Sequence, residues 1–204
     1  MSSVFPLSPP KKFVLFRPGA MGDTLLAVPV IWALRRRFPE AQIEYLSEAH
    51  GKDTTVTAAE VLGLVEEVSK THLYSLSSSW KDRINELRMK LKPSYNDCLL
   101  YLCYSRTSAA QVIRDRLFFW IIGFRRSAGF RASLFDSAKQ HDSNPTNHES
   151  ECDRLFRILA ASGLQLDRHA GGGLKADASW GERYWREQAR SGRKVVVQCP
   201  GSKM

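Results

Sequence analysis

The chain has 204 residues, which is enough for one domain of ordinary size and a fragment of another. Its 43% hydrophobic and 25% charged residues are typical of a soluble globular protein. Thirty Lys and Arg residues against 21 Asp and Glu give a formal net charge of +9, which favours anionic partners. Nucleic acid, an anionic membrane surface and a phosphorylated substrate all fit this charge, and charge alone does not choose among them.

Two kinds of targeting segment are disfavoured by the sequence. Residues 1–12 contain Ser and Pro where a signal peptide would have an apolar run. The longest apolar block, residues 117–122 (LFFWII), is far shorter than the roughly 18 residues of a membrane span. The four cysteines (Cys98, Cys103, Cys152, Cys199) have no C-x-x-C spacing, so we expect free thiols in a reducing cytoplasm.

The first 46 residues predict the opening of a parallel α/β sheet. Residues 13–16 (FVLF) form a continuous apolar run, as expected of a strand buried on both faces, and residues 42–46 (QIEYL) alternate like a second strand. Between them lie the loop RPGAMGD, residues 17–23, and a helix ending in the basic run 35–37. Pro29 predicts either a kink in that helix or a helix that properly begins at Pro29.

The rest of the chain continues the alternation of helices and buried strands. The predicted elements are a helix at 80–91, a strand at 98–103, a helix at 108–122 ended by Gly123, a long polar loop at 131–149, a helix at 152–159, a helix near 180–190 and a strand at 195–197. The odd separation of Cys98 and Cys103 places them on opposite faces of their strand. The predicted fold class is a Rossmann-like α/β fold, with helices on both faces of a mainly parallel sheet.

The loop after the first strand contains the candidate functional residues. In an open parallel sheet, ligands bind at the carboxyl ends of the strands. Gly19 and Gly22 permit close approach of a ligand to the backbone, and Asp23 stands at the start of the helix, where an N-cap role alone would justify it. The dinucleotide pattern G-x-G-x-x-G fails because Arg17 replaces its first glycine, and the P-loop fails because Asp23 follows Gly22. A nucleotide-binding oxidoreductase and a P-loop enzyme are therefore disfavoured.

The stretch FVLFRPGAMGDTLLAVPVIWALRRRFPEAQIEYL resembles the opening of the heptosyltransferase-type enzymes of glycosyltransferase family 9. Its hallmarks are a strand, the motif R-x-G-x-x-G-D, and a proline-containing helix with a basic end before F-P-x-A-x-I. Further stretches agree in order: YNDCLLYLCY at 95–104, RSAGF at 126–130, HESECDRLFRILAASGL at 148–164 and KVVVQCPGSK at 194–203. The resemblance implies the N-terminal half of a GT-B glycosyltransferase, in which two Rossmann-like domains face each other across a cleft.

The resemblance also implies a reaction and its residues. The family transfers a sugar, usually from ADP-heptose, to a lipopolysaccharide-core acceptor with inversion and without a metal ion. Asp23 takes the place of the catalytic base, and Arg17, Gly19, Met21 and Gly22 form the acceptor-side loop. After the Pro-Gly turn, two residues take the place of the donor phosphate contacts, Ser202 and Lys203. No cofactor is implied beyond the nucleotide-sugar substrate, and none of the five histidines has metal-ligand spacing.

The resemblance divides the chain into three parts. Residues 1–12 are expected to be a flexible lead, 13–192 the acceptor-binding domain, and 193–204 the first strand and loop of a truncated donor-binding domain. The isolated chain is then expected to be inactive, although the full protein would be an enzyme. The alternative function is a non-catalytic acceptor-binding module. For the strand and Pro-Gly turn at residues 195–204, the alternative to a truncated domain is an edge strand at a natural terminus.

Partners and location follow from the same resemblance. The expected partners are a nucleotide-sugar and an anionic glycolipid or lipopolysaccharide core, without nucleic acid, in a cytoplasmic protein peripheral to the inner membrane. Four arginines (Arg114, Arg116, Arg125, Arg126) bracket residues 117–124, a block that fits either a membrane-docking segment or a core helix with solvated ends. His148 and Glu149 fit either helix capping or acceptor contact.

Overall fold

The computed structural model describes residues 9–49, 57–104, 108–139, 149–174 and Arg186. The chain divides into two compact units, residues 1–174 and 175–204, and every element named below belongs to the first. In chain order these elements are β1 (Lys12–Phe16), α1 (Met21–Arg37), β2 (Gln42–Glu48), α2 (Ala58–Leu62), β3 (Lys70–Tyr74), α3 (Trp80–Leu91), β4 (Cys98–Tyr101), α4 (Ala109–Ile122), β5 (Arg126–Ala128), α5 (Phe130–Lys139) and α6 (Glu151–Ala160). The predicted helix near 180–190, the predicted strand at 195–197 and the predicted boundary at residue 192 lie outside the described residues, Arg186 excepted.

The five described strands form one parallel sheet in the order β3-β2-β1-β4-β5. The central strand is β1, where Phe13 is paired with Ile43 of β2 on one side and with Cys98 of β4 on the other. All five residues of β1 are buried, including Lys12, which lies within the predicted lead. The continuous apolar run therefore marks a strand covered on both faces, as predicted.

Two apolar clusters cover the two faces of the sheet. One contains Phe13 and Leu15 of β1 together with apolar side chains of α1, α2 and α6. The other contains Val14 and Phe16 with apolar side chains of α3 and α4. Alternate residues of a strand point to opposite faces, so this division confirms the predicted fold class, a parallel sheet with helices on both faces. No helix among the described residues has the length and apolar content needed to cross a membrane.

The two buried cysteines follow the same alternation. Cys98 belongs to the first apolar cluster and Cys103 to the second, as their odd separation predicted. Both are free thiols, as is the partly buried Cys152, while Cys199 lies outside the described residues. Burial raises the pKa of Cys98 to about 12, so this thiol is inert at neutral pH.

The helix after the first loop runs through its proline. α1 is one helix from Met21 to Arg37 with Pro29 inside it, so it does not begin at Pro29. Proline removes one backbone hydrogen bond from a helix interior. Here the inner face of α1, including Val30, Ile31 and Leu34, is fully buried against the sheet and offsets that loss.

The prediction of a long loop at residues 131–149 is wrong for residues 131–139, while residues 140–148 lie outside the described residues. Residues Phe130–Lys139 form α5, which packs against α4 and α6. Its inner positions include Phe130 and Ala132, which join opposite core clusters at the sheet edge, so no single apolar stripe marks the helix in the sequence. The short elements α2, β3 and β5 were also not predicted.

Candidate functional site

The candidate site lies where the two central strands β1 and β4 end. The loop after β1 leads into the N-terminus of α1, and residues 102–104 follow β4 alongside it. Leu102 N–H donates to the carbonyl of Phe16 at 2.9 Å, which holds the two strand ends together. This edge is where open parallel sheets bind ligands.

Arg17 is the buried centre of the site. Its side chain is 0% exposed, and its guanidinium donates to the backbone carbonyl of Asp23 (Nε to O, 2.8 Å) and to that of Leu102 (Nη1 to O, 2.6 Å). It also donates from Nη1 to Glu151 Oε1 at 3.1 Å. Three segments distant in sequence, the starts of α1 and α6 and the end of β4, are thus tied to one side chain. Arg17 belongs to the predicted acceptor-side loop, but its charge is directed inward.

The Asp23 carboxylate is held in place from several sides and remains partly open. Asp23 is the third residue of α1, and its Oδ2 accepts the backbone N–H of Ala20 at 3.1 Å. Its Oδ1 lies 3.7 Å from Arg17 Nη2, and the side chain is 29% exposed. The N-cap residue is Ala20, so Asp23 caps from inside the first turn instead of occupying the N-cap position. A carboxylate that is anchored yet accessible is a suitable candidate for proton transfer with a bound ligand.

Tyr104 completes the surroundings of Asp23. Its hydroxyl and the Asp23 carboxylate both face Gly19, and the guanidinium of Arg17 lies 5.2 Å from the centre of its ring. Burial, together with the nearby negative charge of Asp23, raises the pKa of Tyr104 above its usual value, so the phenol stays protonated. Tyr104 therefore presents a neutral donor to the carboxylate at neutral pH.

Gly19 permits this close arrangement. Its φ is +136°, and a Cβ there would lie 1.8 Å from the Tyr104 hydroxyl oxygen and 2.5 Å from Asp23 Oδ2. Gly22, in contrast, has no atom within 4 Å of an added Cβ. Met21 is 45% exposed beside it, so the first turn of α1 presents an open surface.

Glu151 and Arg154 connect the site to the helices at the sheet edge. Arg154 is buried and donates to both oxygens of Glu151, at 2.7 and 2.8 Å, and to the carbonyl of Cys103. It also reaches Asp136 of α5 at 3.4 Å. Burial alone would raise the pKa of Glu151, but hydrogen bonds and charge from Arg154 and Arg17 outweigh it and lower that pKa. Glu151 is therefore ionised and fixes the position of Arg17.

A cleft of about 420 Å³ opens beside the site, and this volume lies within the range of small-molecule pockets. Tyr104 and Pro18 line it and connect it to the Asp23 loop. Aromatic, charged and polar side chains form the rest of its wall: Tyr74, Trp80, Phe118, Phe119, Glu48, Arg83, Arg114, Asp115 and Gln111, with Phe16, Leu76, Leu87 and Cys103. Apolar ring surfaces beside hydrogen-bonding and charged groups suit a saccharide that carries charged substituents.

A larger cavity, of about 1000 Å³, lies at the opposite edge of the sheet. It is lined by Lys12, at the start of β1, and by residues that precede β2 and β4, including Phe38 and Asp97. The ammonium group of Lys12 there lies 3.5 Å from Asp97 and 3.9 Å from Glu44, so the buried charges are paired with one another. Parallel sheets seldom bind ligands at this amino edge, and the smaller cleft is the stronger candidate.

The structure places four of the predicted residues together at one loop, Asp23, Arg17, Gly19 and Gly22, with Met21 beside them. Ser202 and Lys203 lie outside the described residues. Sequence reasoning missed Tyr104 and Glu151 as members of the site, although both fall in stretches that carried the family resemblance. In the described part of the chain, no three His, Cys, Asp or Glu side chains come together in a way that could hold a metal ion.

The fold and this loop define a parallel α/β domain with a carboxylate at its ligand-binding edge, and solved structures share that fold. Glycosyltransferase family 9 from Veillonella parvula matches with a TM-score of 0.59 and 14% identity over 90% of this chain and 50% of its own. The E. coli heptosyltransferase WaaC with ADP matches with a TM-score of 0.51 and 13% identity over 79% of this chain and 50% of its own. WaaC with ADP-2-deoxy-2-fluoro heptose matches with a TM-score of 0.52 and 13% identity, covering 82% and 53%.

The resemblance to family 9 is therefore confirmed at the level of the fold. The chain spans about half the length of these structures. Its sequence matches no protein-family model and no curated protein.

Proposed function

We propose that this chain is the acceptor-binding half of a GT-B glycosyltransferase of the heptosyltransferase type. The observation that carries the proposal is the Asp23 carboxylate, anchored at the ligand-binding edge of the sheet and partly open beside a saccharide-sized cleft. The fold shared with a family 9 glycosyltransferase and with WaaC supports it. The full protein would transfer heptose or a related sugar from a nucleotide-sugar to a lipopolysaccharide-core-like acceptor, in the cytoplasm.

The reaction follows from the placement of Asp23. The acceptor sugar lies in the cleft with one hydroxyl directed past Tyr104 toward the carboxylate. Asp23 takes the hydroxyl proton while the hydroxyl oxygen bonds to the anomeric carbon of the donor. The bond from that carbon to the nucleotide diphosphate breaks, and attack from the opposite side inverts the anomeric centre. Ala20 N–H donates to the Asp23 carboxylate and the Arg17 guanidinium lies 3.7 Å from it, so the carboxylate is already positioned and little reorganisation accompanies the transfer.

The donor side of the reaction is assigned to a second domain. Two of the structures that share this fold contain ADP or an ADP-sugar, and this chain spans about half of each. Ser202 and Lys203 would contact the diphosphate, and the Lys203 ammonium would balance the charge of the leaving group. No metal ion is required in this scheme, because the Lys203 ammonium and the Ser202 hydroxyl would take that role at the diphosphate.

Asp23→Asn in a protein that contains both halves is the direct test. An amide cannot accept the proton, so turnover should fall roughly 10²–10⁴-fold while donor binding is unchanged. Asp82→Asn is a matched control, because Asp82 is the third residue of α3 and bonds to its own N-cap side chain, Ser79. Normal turnover of Asp23→Asn, with Asp82→Asn also normal, would mean that Asp23 only caps its helix.

The alternative function, a non-catalytic acceptor-binding module, is tested with the 204-residue chain itself. Calorimetry with a phosphorylated core oligosaccharide and with ADP-heptose separates acceptor binding from donor binding. We expect acceptor binding that weakens with salt, because exposed charges are screened over about 10 Å at 0.1 M salt. We expect negligible donor binding, because the donor site is assigned to the second domain. Sugar transfer by this chain alone would refute the division into two halves, and failure of a two-domain protein to transfer sugar would favour the module.

A further inference from the structure

Helix α4 is apolar on two opposite sides. Its inner side contributes Val112, Phe119 and Ile122 to the core, all at most 2% exposed. Its outer side carries Ile113, Leu117 and Trp120, which are 60%, 54% and 54% exposed. These three residues follow the spacing i, i+4, i+7 and therefore form one continuous stripe along the helix surface. A surface helix of a globular protein normally presents polar residues at such positions.

Arginines surround the C-terminal half of this outer stripe. Arg116 is exposed on α4 itself, one residue before Leu117. The Arg125 guanidinium lies 4.7 Å from the ring centre of Trp120. Arg88 of α3 donates to the carbonyls of Ile121 and Ile122 and so places a third cation at the end of the helix. The surface thus combines exposed Ile, Leu and Trp with guanidinium groups at its border.

We propose that the α4 face, defined as Ile113, Leu117 and Trp120 with Arg88, Arg116 and Arg125, docks on the surface of an anionic lipid bilayer. The apolar stripe enters the boundary between headgroups and acyl chains, Trp120 lies at the interface, and the guanidiniums contact lipid phosphates. The formal net charge of +9 attracts the chain to the same surface over a longer range.

The arginines of the α4 face favour an anionic lipid surface as its partner over a second copy of the chain. Two copies that met symmetrically through this face would enclose the arginines of both in one interface without an anionic partner from this face, and concentrated like charge disfavours association. An anionic bilayer offers negative phosphates and an apolar layer together. It satisfies both features of the face.

Only part of the block at residues 117–124 belongs to this surface, namely Leu117 and Trp120. Phe118, Phe119, Ile122 and Phe124 of that block are core residues, at most 7% exposed, and the exposed stripe extends instead to Ile113. The same helix lines the cleft through Gln111 and Arg114. The docking face and the cleft therefore share one rigid element, yet lipid binding does not depend on the sugar transfer proposed above.

The test is sedimentation of the 204-residue chain with phosphatidylcholine vesicles and with vesicles that also contain phosphatidylglycerol. We expect binding to the anionic vesicles only. Leu117→Ser should weaken binding to the anionic vesicles about tenfold, because the variant has less apolar surface to transfer from water into the bilayer. Leu64→Ser is the matched control, since Leu64 is 43% exposed just after α2, which packs on the other face of the sheet. Neither substitution alters the net charge.

A second pair of variants tests the charges. Arg116→Gln should weaken binding to anionic vesicles, whereas Arg37→Gln, which removes an exposed charge from the end of α1, should not. Equal losses within either pair would show non-specific attraction and overturn the proposal. Equal binding to neutral vesicles, or no binding at all, would overturn it too. A concentration-dependent dimer abolished by Leu117→Ser would assign the face to self-association instead.

Discussion

The two glycines of the first loop provide the sharpest test of the site geometry. They are three residues apart and belong to one motif, yet the structure gives them opposite roles. Gly19 has a φ of +136° and lies against Tyr104 and Asp23, whereas Gly22 is helical and faces open space. Alanine at position 19 should therefore destabilise the protein, and alanine at position 22 should not.

The expected magnitudes follow from the contacts. A side chain at the backbone conformation of Gly19 costs about 1–3 kcal/mol. Its methyl group would also lie 1.8 Å from the Tyr104 hydroxyl oxygen, and the displacement of that side chain adds roughly 1 kcal/mol. We expect Gly19→Ala to lower the free energy of unfolding by about 2–4 kcal/mol. Gly22→Ala should raise it by about 0.5–1 kcal/mol, because alanine favours the helix.

Urea unfolding followed by circular dichroism measures both changes in the 204-residue chain. Gly173→Ala is a control, since an added Cβ there also has no atom within 4 Å and the residue lies outside the helices. Equal stabilities of the Gly19 and Gly22 variants would refute the loop geometry. Binding of the core oligosaccharide then separates structure from function. If the acceptor approaches the first turn of α1, Gly22→Ala weakens that binding although the protein is more stable.

Two further predictions concern ionisation and burial. The pKa of Glu151 is lowered in the folded protein, so its contribution to stability is present at neutral pH and is lost as the pH falls below its usual value of 4.5. Urea unfolding should show that Glu151→Gln is less stable than the parent chain at neutral pH and that the gap narrows in acid; a constant gap would contradict the assigned ion pairs. For the thiols, iodoacetamide labelling read by peptide mass spectrometry should modify Cys98 and Cys103 only after unfolding, because both are at most 3% exposed. Native labelling of either at the rate of the partly buried Cys152 would mean that β4, which pairs with β1, is misplaced.

Much of the fold was predictable from local patterns. Continuous apolar runs identified β1 and β4, and serine caps and a terminal glycine identified α3 and α4. These signals are strong because they arise where a single element is buried on both faces or ends at a defined capping residue. The edge strands β3 and β5 lack such signals, since an edge strand contacts a neighbour on one side only and β5 has three residues. The helix α5 has its inner residues divided between two cores, which removes the single stripe that predicts a helix.

The sequence by itself determined the loop, the glycine positions and the carboxylate that a ligand would meet at the end of the first strand. Only the tertiary structure determined what holds that carboxylate. Arg17 meets Glu151 across 134 residues of sequence and the carbonyl of Leu102 across 85. Parallel strands are joined by long crossovers, so residues that converge at the carboxyl edge of the sheet are widely separated in the chain. Their contacts depend on the order of the strands, which no local pattern records.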